Sequence, residues 1–271
     1  MSLVPCAMTI AGSDSGGGAG IQADLRTFAF HCVHGTCAIT CVTAQNTCGV
    51  TRVDAMPLES ISAQIEAVVS DIPVLAVKTG MLLNAEIIRL TAKKLTALGF
   101  RNVVVDPVMV SRTGAQLIDD QAITSIKQQL LPIAQIVTPN RYEAQLLAGI
   151  AIDTLEDMQR AAQIIHGLGA KAVLVKGGGM PEDCRGVDVY FDGSSLDLLR
   201  TEAIATPHTH GTGCTLSAAI AANLALGYPL KEAIQRGKKY VTEALKHSLA
   251  IGRGQGPVGH FYPLLEMQGR M

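Results

Sequence analysis

The chain has 271 residues, of which 48% are apolar and 17% charged, with 22 basic and 23 acidic side chains for a net charge of −1 and no tryptophan. Such a composition suits one large α/β domain, or two small ones, around a sizeable core and excludes a disordered or low-complexity chain. The balanced charge excludes the electrostatic footprint of a nucleic-acid binder, and the basic cluster Arg236, Lys238 and Lys239 reads as a solvated helix face.

Taken in order, short runs rich in valine and isoleucine alternate with segments of helical period. Ala7 to Ala11 reads as a strand and Ile21 to Phe30 as the helix after it. Ala38 to Thr43 and Leu75 to Thr79 are further strands, with a helix over Leu58 to Ser70 between them. Val103 to Asp106, Gln135 to Thr138 and Ala172 to Lys176 complete the evident strands; helices are expected near 85–98, 120–131, 141–148 and 154–168. From Val187 to Leu199 two short runs around Asp192-Gly193 read as a β-hairpin at a sheet edge. Two helices, about 213–226 and 230–247, follow, broken at Gly227 and Pro229. Alternating strands and helices predict right-handed crossovers and a central, mainly parallel sheet with helices on both faces. No repeat or linker stands out, so one domain over 1–271 is expected.

The seven cysteines (6, 32, 37, 41, 48, 184 and 214) include no Cys-x-x-Cys pair and suggest neither a disulfide framework nor a zinc site. They read as small thiols of a reducing cytosol. Met1 to Cys6 lacks a signal-peptide pattern, and no apolar run reaches the ~18 residues of a membrane span. A cytoplasmic protein is expected.

In open α/β sheets ligands sit beyond the carboxyl ends of the strands. Here those ends carry Gly12-Ser13-Asp14, Gln45, Gly80-Met81, Asp106-Pro107, Pro139-Asn140 and Lys176-Gly177. The stretch Gly12 to Gly20 holds five glycines in nine residues, yet no G-x-G-x-x-G aligns on it and no Walker motif occurs. A tight turn needs fewer glycines, so close approach of backbone to a ligand is expected. Thr209-His-Gly-Thr-Gly-Cys214 enters an alanine-rich helix. Backbone N–H groups and the dipole at a helix start favour an anion there, and small residues let a phosphate reach them. An ordinary cap on Thr212 is the plainer alternative. Cys214 falls in the first turn, where a thiolate is favoured; it is either a base for a substrate hydroxyl or a small packing residue. Asn140-Arg-Tyr-Glu143 reads either as a capping box or as a carboxylate that organises magnesium. Asp106 is a second carboxylate, and burial would demand a cation or hydrogen bonds for it. Lys176 offers a mobile charge for a phosphate.

Together these stretches resemble the ribokinase superfamily, and within it the hydroxymethylpyrimidine/phosphomethylpyrimidine kinases of thiamine biosynthesis. The resemblance runs nearly end to end: Thr9 to Leu25, Val42 to Thr47, Lys78 to Met81, Asp106 to Met109, Thr138 to Glu143, Lys176-Gly-Gly and Thr209 to Cys214. It implies a three-layer ribokinase-like fold, ATP, magnesium, and two phosphorylations of 4-amino-5-hydroxymethyl-2-methylpyrimidine, at its hydroxyl and then at the monophosphate. It also implies a homodimer, since relatives are commonly dimers. Gln45 and Asp24 match the pyrimidine site, with Gly12, Ala19 and Met81 lining it. Asp106, Asn140, Lys176 and Thr209 fall on the nucleotide side, and Glu143 with Asp106 on the metal side. Gly211, Thr212 and Gly213 match the anion hole and Cys214 the catalytic residue, where sugar kinases carry aspartate.

Gln45 has a physical argument too. An aminopyrimidine shows an amino donor beside a ring-nitrogen acceptor, and a carboxamide offers the complementary pair. Pyridoxal lacks that edge, and leaving a buried amide half-paired costs about 1–3 kcal/mol, roughly ten- to hundredfold. The rival readings are a cysteine-type pyridoxal or pyridoxine kinase and a non-catalytic pyrimidine-binding regulator. The chain departs from the resemblance at Gly179, where many members have histidine, and at Ser111 to Gln116, where a lysine-containing pattern is usual.

Overall fold

The computed structural model describes residues 4–109, 118–181 and 184–269. They form two compact units, one made of the chain up to Gly80 together with the part from Ile204 onward, the other of Met81–Ala203.

The first part of the chain runs β1 (Cys6–Asp14), α1 (Gly20–Phe30), β2 (His34–Asn46), β3 (Gly49–Ala55), α2 (Leu58–Val69) and β4 (Val74–Thr79). Its strands lie in the order β3-β2-β1-β4. β1 is parallel to β2, from Cys6↔His34 to Asp14↔Thr43, and parallel to β4. Apart from Ser13 every residue of β1 is buried, the continuous apolar run expected of a parallel strand covered on both faces. α2 docks beside β2 through Gln64, whose side chain accepts from the Ile39 N–H at 2.8 Å and donates to the Ile39 carbonyl at 3.2 Å.

Residues 81–203 hold α3 (Ala85–Ala97), β5 (Val103–Val105), α4 (Asp120–Ser125), β6 (Ile136–Val137), α5 (Arg141–Ala148), α6 (Leu155–His166), β7 (Val173–Val175), β8 (Val187–Phe191) and β9 (Leu196–Arg200). Their strand order is β5-β6-β7-β8-β9, parallel from β5 to β7 and antiparallel from there on. The hairpin expected from Asp192-Gly193 is β8–β9, and Asp192 Oδ1 accepts the N–H groups of Ser194 and Ser195 to fix its turn.

The chain then returns to the first unit with α7 (Thr212–Ala225), α8 (Leu230–Lys246) and α9 (Tyr262–Met267). Every residue of α7 from Thr215 to Ala225 is buried. Gly237 lets α8 come close to it: a Cβ there would lie 3.2 Å from Ile220 Cγ1. Tyr240 and Tyr262 pack at 5.5 Å over Ala219, Ala244 and Val258.

Three features differ from the sequence expectation. β3 forms an antiparallel ribbon with β2, although all seven of its residues are exposed and give no alternation to read. The helix expected over 120–131 is α4 followed by a widened turn at Ile126–Leu130 and a tight turn at Leu131–Ile133; Pro132 has no N–H with which to continue the helix. α9 is a further short helix beginning at Tyr262-Pro263. No helix among the described residues is long and apolar enough to cross a membrane.

Candidate active site

The glycine-rich segment after β1 wraps around the carboxylate of Asp14. Oδ1 accepts the Gly16 N–H at 2.8 Å, and Oδ2 accepts those of Gly18 and Ala19 at 3.0 and 2.9 Å. Gln22 braces the same turn, accepting from the Asp14 N–H and donating to Ser13 Oγ. His210 Nε2 lies 2.9 Å from Asp14 Oδ2. Burial raises the Asp14 carboxyl, but hydrogen bonds from His210, Ala19 and Gly16 outweigh it and hold the group below the usual carboxylate range.

The glycines answer to this packing. A Cβ on Gly18 would strike the His210 ring, and one on Gly211 would strike the Gly18 carbonyl. The close approach expected of this segment is therefore made, in part, to the loop that opens α7. That loop is held from behind: His210 donates its N–H to the Gly256 carbonyl and accepts from the Val258 N–H, both at 3.2 Å.

Gly211, at φ 82°, is the residue before α7, and no side chain caps the helix. The Thr212 hydroxyl turns back to the Thr209 carbonyl at 2.7 Å, so the plainer cap on Thr212 is not formed. Thr212, Gly213 and Cys214 thus make the first turn of a 14-residue helix, the arrangement that favours an anion. Cys214 is half-buried there. Behind the turn, Thr215 Oγ1 lies 2.9 Å from both the Gly211 carbonyl and His260 Nε2. Burial, with the charge of Arg26, pushes His260 down to about 4, so it stays neutral at physiological pH.

Gln45 ends β2 in the same unit. Its backbone N–H donates to Ser15 Oγ at 2.8 Å and its carbonyl accepts from that hydroxyl at 2.7 Å. Its side-chain amide is 3.0 Å from His210 Nε2. Gly12 and Ala19 flank the loop, with the Gly12 carbonyl packed against Gly20 and Ala19 Cα beside Gly211. Asp24 lies deep in the unit. It is fully buried on α1, with its carboxylate 3.0 and 2.8 Å from Lys78 Nζ and accepting the Thr9 hydroxyl at 2.6 Å. His210, Asp14 and Lys78 are thus members that the sequence reading gave no individual role, although all three stand inside its quoted motifs.

The second unit carries the other set. Asp106 follows β5, Asn140 follows β6 and Lys176 follows β7, with Asn140 and Lys176 in a parallel bridge. Lys176 Nζ pairs with Asp106 Oδ1 at 3.1 Å. Asn140 and Glu143 do form a capping box: Asn140 Oδ1 accepts the Glu143 N–H at 3.0 Å and Glu143 Oε2 the Asn140 N–H at 2.8 Å. Yet Glu143 is buried, and burial together with the Asp106 charge pushes it up to about 7 against the pull of Lys176 and of hydrogen bonds from Asn140 and Met109. Asp106 and Glu143 thus stand as two buried carboxylates beside one lysine, a donor set compatible with a divalent cation that takes one or two carboxylates plus phosphate oxygens. Met81, the first residue of this unit, is half-buried. Gly178 and Gly179 are open at the Cβ position, the nearest atom to a Cβ on Gly179 being Arg141 Cβ at 4.0 Å. Ser111 to Gln116 lies outside the described residues.

A family model described as phosphomethylpyrimidine kinase matches residues 14–259. The chain belongs to the phosphomethylpyrimidine kinase family. A hydroxymethylpyrimidine/phosphomethylpyrimidine kinase of Synechococcus elongatus is 65% identical over 261 residues, covering 96% of this chain and 99% of the relative. Among solved structures, an ADP complex of Bacillus subtilis pyridoxal kinase matches with a TM-score of 0.91 at 41% identity, covering 97% of this chain and all of that one. A phosphomethylpyrimidine kinase from Clostridium difficile matches with a TM-score of 0.80 at 43% identity, over 89% of this chain and 99% of its own. These neighbours share the α/β ribokinase-like architecture. In the phosphomethylpyrimidine kinase family frame, Asp14, Gln45 and Cys214 all fall within the matched residues.

Proposed function

We propose that this chain transfers the terminal phosphoryl group of ATP to the hydroxyl of 4-amino-5-hydroxymethyl-2-methylpyrimidine, and then a second one to the resulting monophosphate. The observation that carries the proposal is the start of α7, a turn of small residues without a side-chain cap, tied through His210 to Gln45. Family membership and the 65% identical relative support the substrate; the ADP complex of the pyridoxal kinase supports the nucleotide.

Gly211, Thr212 and Gly213 hold the moving phosphoryl on backbone donors, and Cys214, in the same turn, takes the proton of the attacking hydroxyl. Gln45, with Gly12 and Ala19, seats the ring. Asp24 supports that wall from beneath through Lys78. Asp106, Asn140, Lys176 and Thr209 bind the nucleotide, and Lys176 supplies a point charge for its phosphates. Glu143 and Asp106 would hold Mg2+, which when bound offsets charge on the phosphate oxygens. The proposal includes a cytoplasmic homodimer, acting as one kinase domain, without a nucleic-acid partner.

A phosphorus NMR time course with the pyrimidine, ATP and Mg2+ tests it. Monophosphate should form first and diphosphate after it. ADP released with neither product, or faster turnover of pyridoxal, would overturn the assignment.

A further inference from the structure

One ring nitrogen in this site has two polar neighbours, and whether it carries a hydrogen decides which atom each can turn toward it. His210 Nε2 is 2.9 Å from Asp14 Oδ2 and 3.0 Å from the nitrogen position of the Gln45 carboxamide. The carboxylate of Asp14 accepts three backbone N–H groups and is held below the usual carboxylate range, so it is ionised and accepts only. Nε2 must therefore carry the hydrogen that faces it. A ring nitrogen bearing a hydrogen has no lone pair left for an amide NH2. The oxygen and nitrogen of a carboxamide are nearly isosteric, and their assignment follows from the hydrogen-bond network. The atom of Gln45 that meets His210 is accordingly Oε1, sharing the Nε2–H with Asp14, and the NH2 is on the far side. This holds for the neutral Nε2–H ring and for the imidazolium alike.

The ring that imposes this choice has little freedom. Its backbone is bonded on both sides to the 256–258 segment. Gly18 lies so close that a Cβ there would strike the imidazole, and its side chain is only 13% exposed. Gln45 is likewise anchored at its backbone by Ser15.

We propose that His210, held by Asp14, is a specificity-determining positioning residue that locks the Gln45 carboxamide in one of its two orientations. Rested on the pyrimidine reading above, the lock fixes the direction in which the ring is read. Oε1 keeps a second lone pair for a donor on the His210 side, and the NH2 donates to a ring-nitrogen acceptor beside it. An unlocked glutamine could turn over and pair equally well with the reversed edge, the oxo group and ring N–H of the deaminated analogue. The locked one opposes donor to donor and acceptor to acceptor there. His210 thus makes this pocket one for an amino-substituted azine and against its lactam counterpart.

The test compares the aminopyrimidine with its 4-oxo analogue in the full-length enzyme and in H210L and H210Q, through kcat/KM for each. The native enzyme should favour the amino ring by about 10- to 100-fold. H210L removes the donor and should bring the ratio near unity, chiefly by lowering KM for the oxo ring; H210Q restores an N–H at the same reach and should recover the preference. Equal loss on both rings in H210L, with the ratio kept, would mean a merely structural histidine and overturn the lock. A nitrogen-15 NMR measurement of the native His210 tautomer decides independently of any variant's folding. A hydrogen on Nε2 is expected, and an Nδ1–H ring with a bare Nε2 would sink the proposal. Native enzyme that phosphorylates neither ring would instead fail the pyrimidine reading, while the tautomer measurement still judges the lock.

Discussion

At Gly211 the backbone takes φ 82° and runs so close to Gly18 that a Cβ would overlap the Gly18 carbonyl. A side chain there must meet both the left-handed penalty of ~1–2 kcal/mol and a collision with backbone that has no rotamer to escape by. Gly211→Ala should therefore lower the melting temperature and cut kcat at least ~100-fold, because the donors of the first turn move with it. Steady-state kinetics beside a thermal melt checks this, and full activity would refute it. Cys214→Ala tests the neighbouring thiol differently: turnover should fall by about 10²–10⁴, the range for a lost acid–base group, while calorimetry still detects pyrimidine binding. Glu143 is the third case. Its folded value of about 7 is raised above the ordinary 4.5, so the folded state holds the proton more tightly than the unfolded state. That contribution is fully present below pH 4.5 and is lost as pH rises to about 7. Gln at this position keeps the reach of a capping box but cannot ionise. In the absence of nucleotide and metal, wild type should thus lose stability relative to Glu143→Gln across that window, on the order of 1–3 kcal/mol. Thermal melts at a series of pH values measure the gap; a gap independent of pH would contradict the raised value.

At the scale of elements, the pair Asp24–Lys78 ties α1 to β4 with both side chains at zero exposure. Removing one partner strands the other charge in the core and costs about 3–5 kcal/mol, whereas replacing both with apolar groups is often neutral. Lys78→Met should show the large loss in a denaturant titration, and the double variant Lys78→Met with Asp24→Leu should recover most of it. Recovery would mark the pair as structural support beneath the pocket; a double variant as stable as wild type but inactive would give Asp24 a further role at the substrate. Elements differ in how well the sequence announces them for similar reasons. β1, buried almost throughout, reads as an apolar run, and the Asp192 turn reads as a hairpin, because burial and turn chemistry are both written locally. β3 is not announced, because a wholly exposed edge strand is chosen by the hydrogen bonds it makes to β2 and not by its own pattern. Yet β3 matters for the site, since the ribbon pairs Gln45 with Val50.

For the whole molecule, the buried strands, the mainly parallel character of the sheet and the family motifs are legible because each is carried by contiguous residues. What is not legible is partnership across distance: Asp14 with His210, 196 residues apart, or Asp24 with Lys78, 54 apart. A motif names such residues without saying which of them face a ligand and which face each other, and the pairing of Asp24 with Lys78 is not to be read from either motif. The same division gives a thermodynamic expectation. Gln45, His210, Gly12 and the start of α7 all belong to the first unit, and Asp106, Asn140, Glu143 and Lys176, all of the nucleotide set but Thr209, to the second. Each ligand should then raise stability without the other, since whatever binds only the folded state adds about 2.7 kcal/mol at a hundredfold excess over its Kd. For a chain of this size that is a rise in melting temperature of roughly 5 °C or more. Replacing Gln45 with leucine should abolish the shift given by the pyrimidine and leave the shift given by ATP with Mg2+ intact. Losing both shifts would make Gln45 a residue of the fold and not of the pyrimidine site.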